Sequence, residues 1–213
     1  MIPAEGHAGT SRRLVFATRN EGKVIEMLAL LESSRWAVER LPEDVGEYEE
    51  TGDTFAENAR GKALFAAAVL PVPVLADDSG LQIDALGGEP GVRSARWLDA
   101  SMSQGERNRA VLHRLRDTPT ELRTARFVCH LALAYGSDIV HETTGVCEGT
   151  IAPEPRGVGG FGYDPIFVVP ELGVTFAEIG RDQKSARSHR GRAVRAMADF
   201  LRSWQPEKGP RAT

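Results

Sequence analysis

Adjacent carboxylates, in Asp77-Asp78-Ser79-Gly80, follow an apolar run at residues 72–76. Two like charges at the end of a buried segment repel each other and cost desolvation unless a cation compensates. Hard oxygen donors of this kind suit Mg²⁺, which keeps several waters and shares its coordination sphere with substrate phosphates. The simpler alternative is a turn in which Asp78 accepts bonds from the N–H groups of Ser79 and Gly80. The acidic run Glu47-Tyr48-Glu49-Glu50 could add another carboxylate, although acidic runs are usually solvated surface.

Thr18-Arg19-Asn20-Glu21-Gly22-Lys23 combines a hydroxyl, an amide, a glycine and an ammonium where a strand should turn into a helix. N–H donors and a cation at a positive helix end suit phosphate oxygens. A capped turn with a solvated lysine is the plainer reading, and G-x-x-x-x-G-K-[ST] is absent. Lys62 follows Asn58 by four residues on a helix face made small by Ala59, Ala63 and Ala66, which could approach a ligand closely. Otherwise it is an exposed helix lysine.

Two further stretches could hold a planar ligand. Gly157-Val158-Gly159-Gly160-Phe161-Gly162-Tyr163-Asp164 permits unusual backbone angles and close approach. Phe161 or Tyr163 offers a stacking face, worth about 1–3 kcal/mol per base in nucleic-acid systems. Asp164 could accept bonds from a base or ribose; a glycine-rich hairpin loop is the alternative. In Lys184-Ser185-Ala186-Arg187-Ser188-His189-Arg190 the cations precede a helix for which Ser188 is the expected N-cap. His189 and Arg190 could donate to a purine carbonyl, or form a surface pair.

The elements that must carry these groups are readable from periodicity. Residues 14–18 form a short strand, then a helix with Val24, Met27, Leu28 and Leu31 on one face. Thr54 and Glu57 fit a capping box opening an alanine-rich helix to about Val69, and Ser103 and Glu106 fit another. Residues 72–76 read as a buried strand ending at the aspartates. Residues 125–135 alternate, with Phe127, Cys129, Leu131, Leu133 and Tyr135 on one face, and pair with 139–148 as a long hairpin. A last helix carries Val194, Met197, Ala198 and Leu201. The order α/β, then antiparallel β, then helix predicts one mixed sheet or two lobes around a cleft, with the ligand at strand carboxyl ends.

Bulk properties exclude several classes. The 213 residues are 41% hydrophobic and 26% charged, ordinary for a globular domain. A net charge of −4 disfavours non-specific nucleic-acid binding. Cys129 and Cys147 make neither a disulfide framework nor a metal pair, which points to reduced packing residues in a cytoplasmic protein. No apolar run approaches the ~20 residues a membrane helix needs. Residues 1–12 read as a disordered leader, 13–204 as the domain and 205–213 as a loose tail.

Together these stretches resemble the inosine triphosphate pyrophosphatase (Ham1-like) family. The matching residues are ATRNEGK at 17–23, ETGDTFAENARGKA at 50–63, ADDSGLQIDALGGEPGVRSARW at 76–97, GGFGYDPIF at 159–167 and KSARSHRG at 184–191. Arg19 stands where the family often has a smaller residue. The resemblance implies an elongated α/β fold with a mixed sheet and two lobes around an active-site cleft, a homodimer, and Mg²⁺ as cofactor. It implies hydrolysis of nucleoside triphosphates such as ITP, dITP and XTP to the monophosphate and pyrophosphate. By motif position, Thr18, Arg19, Asn20, Glu21, Gly22, Lys23, Ser79, Phe161, Gly162, Tyr163, Asp164, Lys184, His189 and Arg190 would hold substrate. Asp78 and Lys62 would be catalytic, and Glu50 with Asp78 would hold the metal, Glu49 or Asp77 being alternatives. A binding module without turnover is the rival from another class, although extra negative charge gains a polyphosphate binder little.

Overall fold

The computed structural model describes residues 12–32 and 34–206. The expected leader and tail therefore lie largely outside the described residues. Arg12 does not: it opens β1 (Arg12–Phe16), pairs with Trp36 and donates to the Trp204 carbonyl at 2.7 Å.

A seven-stranded mixed sheet organises the chain in the order β2-β1-β3-β4-β5-β6-β7. β2 (Trp36–Arg40), β1 and β3 (Val74–Ile83) run parallel. β4 (Thr124–Tyr135), β5 (Asp138–Ile151), β6 (Phe167–Val169) and β7 (Val174–Thr175) continue it antiparallel. The hairpin was legible and is longer than its alternation showed. β2, β6 and β7 were not anticipated, being short and weakly patterned.

One reading of the sequence is corrected here. β3 does not end at the aspartates but runs through them to Ile83. β4 satisfies its backbone along that whole length, from Val74 opposite Ala134 to Ile83 opposite Ala125. β1, by contrast, pairs with β3 only at Val15 and Phe16 before turning away, the last bond being Ala17 N–H to the Leu75 carbonyl at 2.8 Å. The aspartates thus lie just past the carboxyl end of β1, inside a strand with one open edge.

Helices cover both faces. α1 (Glu21–Leu31) and α5 (His189–Ser203) pack on one, where Leu14, Phe16, Met27, Leu131, Leu133, Val194, Met197 and Leu201 make a core. α2 (Phe55–Ala67) covers the other through Ala59, Ala63 and Ala66 against Ala76, Ala132 and Ala134. The Thr54 and Ser103 capping boxes both form, the latter opening α3 (Gln104–Arg114). Such caps contribute about 1 kcal/mol each. α2 ends at Ala67, ahead of the expected Val69, and Leu28 proves 37% exposed because the buried stripe of α1 runs through Val24, Met27 and Leu31. A third cluster, with Trp97, Phe127, Phe167 and Phe176, fills the far lobe. α4 (Arg181–Arg187), unanticipated, leads into α5, whose N-cap is Ser188 as expected.

α5 reaches the sheet over Gly145 of β5, where an added Cβ would stand 2.0 Å from the His189 carbonyl and 2.6 Å from the Ala193 nitrogen. Both neighbours are backbone and cannot yield without moving the helix. Gly145→Ala should therefore destabilise the fold by about 1–3 kcal/mol in urea titrations, the usual cost of overpacking. An unchanged midpoint would show that α5 does not depend on this contact.

Candidate active site

The pleat of β3 sends successive side chains to opposite faces, which separates the two aspartates. Asp77 points toward α1 and α5, and Asp78 toward α2. The local repulsion expected of neighbouring carboxylates is relieved by this geometry, and each acquires its own cations.

Asp77 is 1% exposed. Lys23 Nζ lies 3.0 Å from its Oδ2, Arg190 Nη2 3.4 Å, and the Ser79 hydroxyl donates to it at 3.0 Å. Burial alone would raise its pKa, but Lys23, Arg190 and Lys62 outweigh that and hold it well below the usual carboxylate range. Asp77 is thus a fully engaged counter-ion, which argues against the alternative of a metal ligand. The network continues outward. Arg190 pairs closely with Glu26, Glu26 accepts from Lys184 at 2.7 Å, and Lys184 donates to Asp164 at 2.6 Å. Burial and then Arg190 and Lys184 act on Glu26 in opposition, and the cations win, lowering its pKa. Asp164 is raised, chiefly by burial.

On the α2 face, Asn58 donates to Asp78 Oδ2 at 3.0 Å, and Lys62 Nζ lies 3.4 Å from Oδ1. The same ammonium pairs closely with Glu50 and donates to the Asp77 carbonyl at 3.0 Å, the backbone group that the departed β1 leaves open. Arg96 closes on the other oxygen of Glu50. Burial raises the Asp78 carboxyl, and Glu50 adds to the rise against the pull of Lys62 and Lys23. Glu50 is lowered, its burial being outweighed by Lys62 and Arg96. Lys62 is raised: burial opposes its charge, but Asp78, Asp77 and Glu50 prevail.

The turn at residues 18–23 spans both halves. Asn20 caps α1 by accepting from the Lys23 N–H at 3.1 Å, and Thr18 Oγ1 accepts from the Asn20 N–H. On one side opens a cavity of about 290 Å³ lined by Asn20, Gly22, Lys23, Ser79, Phe161, Gly162, Tyr163, Asp164, Lys184, His189 and Arg190, with Ser94, Gln104 and Phe127. On the other, a cavity of about 210 Å³ is lined by Thr18, Tyr48, Glu50 and Lys62.

Most anticipated residues therefore converge, with corrections. Glu21 is exposed and paired with Arg40, away from both cavities. Arg19 faces the second cavity, but its two terminal nitrogens are taken by backbone carbonyls of residues 41–45 rather than left for phosphate. Glu49 is exposed. Tyr163 lines the first cavity with a buried ring whose hydroxyl donates to the Ser94 carbonyl at 2.9 Å, so it is no free stacking face; burial pushes its pKa up to about 12. Phe161 lines the same cavity, with Lys184 Nζ 4.7 Å from its ring centroid. His189 stacks on Phe127 at 4.7 Å, and burial, then Arg190 and Lys184, drive its pKa well below 6.5. Among the described residues, His189 Nδ1 and Arg190 Nε are buried without a hydrogen-bond partner. Glu26, Arg96, Phe127 and Gln104 were missed. Only Glu26 had a local signal, three residues beyond Lys23 on the same helix face.

Comparison with known proteins shows the family and the fold. A family model described as Ham1 family matches residues 14–200. A dITP/XTP pyrophosphatase of Symbiobacterium thermophilum is 49% identical over 192 residues, covering 90% of this chain and 96% of that one. One from Exiguobacterium sibiricum is 45% identical, covering 92% and 100%. A HAM1 protein from Coxiella burnetii superposes with a TM-score of 0.82 at 42% identity, covering 89% and 98%.

Asp77 also sets an expectation for stability. Its folded pKa lies below the unfolded value of about 3.9. Its contribution is complete above that value and disappears as pH falls through the folded one, since the unfolded state binds the proton first. Asp77→Asn should cost about 3–5 kcal/mol at pH 7, because it leaves Lys23 and Arg190 buried against a neutral amide. The loss should shrink in melts below pH 4; a loss independent of pH would contradict the assignment.

Proposed function

The chain belongs to the Ham1 family, and from that premise we propose that it is a pyrophosphatase for inosine- and xanthosine-type nucleoside triphosphates. The observation that carries this reading is the meeting of Glu50 and Asp78 on one ammonium, Lys62, at the end of a turn whose other side opens on the Phe161–His189 cavity. A triphosphate laid along residues 18–23 would put its base in that cavity and its innermost phosphorus near Asp78.

The donor set fits Mg²⁺. Among the described residues no group of three or more His, Cys, Asp or Glu could hold a metal, and Mg²⁺ bound through substrate phosphates needs only one or two carboxylates. Asp78 and Glu50 supply these, brought together on the Lys62 ammonium. When bound, the ion would supply Lewis acidity toward the phosphate oxygens. Asp78 accepts the proton of the water that attacks the α-phosphorus, with Asn58 and Lys62 orienting its oxygens. The bond from α-phosphorus to the bridging oxygen breaks, and pyrophosphate departs while Lys62 and Lys23 offset its charge.

Base choice follows from the buried donors without partners. Neutral His189 can present Nδ1–H, and Arg190 its Nε–H, to the 6-carbonyl of hypoxanthine or xanthine. Adenine would turn an amino group toward them, leaving donors facing a donor. Two buried free cysteines support a reducing, cytoplasmic setting, and a homodimer is proposed on the family resemblance. No described helix is long and apolar enough to cross a membrane.

With Mg²⁺ the protein should release pyrophosphate from ITP, dITP and XTP about 10²-fold or more faster than from ATP, and EDTA should abolish release. No turnover of any of these would favour a binding module; preference for dUTP would move the substrate class. Asp78→Asn should lower kcat by ~10²–10⁴ with the thermal transition retained, and near-normal turnover would remove Asp78 from the base role. His189→Ala should narrow the ITP-to-ATP ratio more than it raises the KM for ITP. An unchanged ratio would place base reading elsewhere.

A further inference from the structure

The segment that delivers Glu50 has no regular structure of its own. Between the end of β2 at Arg40 and the start of α2 at Phe55 the chain runs as turns and coil. Within residues 41–50 the backbone–backbone hydrogen bond among the described residues is Val45 N–H to the Pro42 carbonyl, at 3.3 Å. A stretch so poor in internal bonds would sample many conformations unless outside groups hold it.

Those groups can be named. Arg19 donates Nη1 to the Leu41 carbonyl at 3.1 Å and Nη2 to those of Pro42 at 2.8 Å and Val45 at 2.7 Å, with Glu43 at 3.4 Å. Val45 is buried among the alanines of α2. Tyr48 lies so close to α2 that a Cβ on Gly61 would stand 2.2 Å from its ring. Arg96 holds the Glu50 carbonyl at 3.1 Å. The hold at the start of the segment thus comes from the residue between Thr18 and Asn20, in the turn that faces both cavities. A planar fork suits several carbonyls in fixed directions, which an ammonium on a flexible stem does not.

We propose that Arg19 is a positioning residue that fastens the Glu50-bearing segment to the phosphate-side turn, keeping the cation-holding carboxylate in register with residues 18–23. The inference rests on the reading of Glu50 and Asp78 as that cation-holding pair. It assigns Arg19 no contact with substrate, since both terminal nitrogens are engaged with backbone.

The test uses the full chain with Arg19→Ala and Arg19→Lys, and Arg13→Ala, which removes a surface pair with Glu39, as the control. Mn²⁺ binding to the nucleotide-free protein is followed by electron paramagnetic resonance, and amide hydrogen exchange by mass spectrometry. Arg19→Ala should weaken Mn²⁺ binding and raise the half-saturating Mg²⁺ concentration about tenfold. It should speed exchange across residues 43–50 while leaving α1 and α5 unchanged, and shift the KM for ITP at saturating Mg²⁺ less than about twofold. Arg19→Lys should recover part of the loss, and Arg13→Ala should match the parent. Unchanged exchange at 43–50 would overturn the proposal, as would a raised KM for ITP with normal cation binding, which is the signature of a direct phosphate contact. Absence of Mn²⁺ binding and of cation dependence in the parent protein would sink the cation-site reading instead, and the exchange result would still decide whether Arg19 holds the segment.

Discussion

Buried charge is tolerable only when it is paired, and this molecule pairs it in a line. Lys23, Asp77, Arg190, Glu26, Lys184 and Asp164 alternate in sign, three cations with three carboxylates, each touching the next. Because the members come from β3, α1, α5, α4 and the glycine-rich loop, the line also fastens together the elements that surround the first cavity. Removing one member would strand its neighbours in a low-dielectric interior, where an unpaired charge costs several kcal/mol. The line adds to the apolar core that already packs α1 and α5 against the sheet.

The opposite face of β3 is built on a different balance. There Asp78 and Glu50 share Lys62, and Arg96 meets Glu50 from the side. The paired line is buried, whereas in this cluster two carboxylates share one ammonium and Glu50 and Lys62 line a cavity. One face of the strand therefore carries the buried line of charge, and the other carries the pair that the proposed function assigns to cation and phosphate. The abrupt departure of β1 after Phe16 makes both possible, since it frees the Asp77 carbonyl for Lys62 and leaves room for the turn at 18–23.

Much of the fold was legible where a local rule acts alone. The capping boxes at Thr54 and Ser103, the N-cap at Ser188 and the alternation from Phe127 to Leu133 are decided by neighbours in sequence, and all are found. β2, β6 and β7 carry too little pattern over two to five residues to be distinguished from coil. Arg19 had the right charge for phosphate and Glu21 stood in the same motif, but loop carbonyls claim the first and Arg40 pairs with the second. Tyr163 and Phe161 were interchangeable as aromatic faces until Ser94 took the tyrosine hydroxyl.

The sequence by itself carried the motif blocks that resemble the family, the inventory of acids, lysines and donors, and most of the elements that bear them, because caps, periodicity and motif blocks are properties of contiguous chain. Tertiary structure alone decided which carboxylate is locked between Lys23 and Arg190 and which meets Lys62 and Asn58. Asp77 and Asp78 are equivalent as neighbouring letters. They differ only because a pleated strand points them to opposite faces, and the cations awaiting them there come from helices far away in the chain.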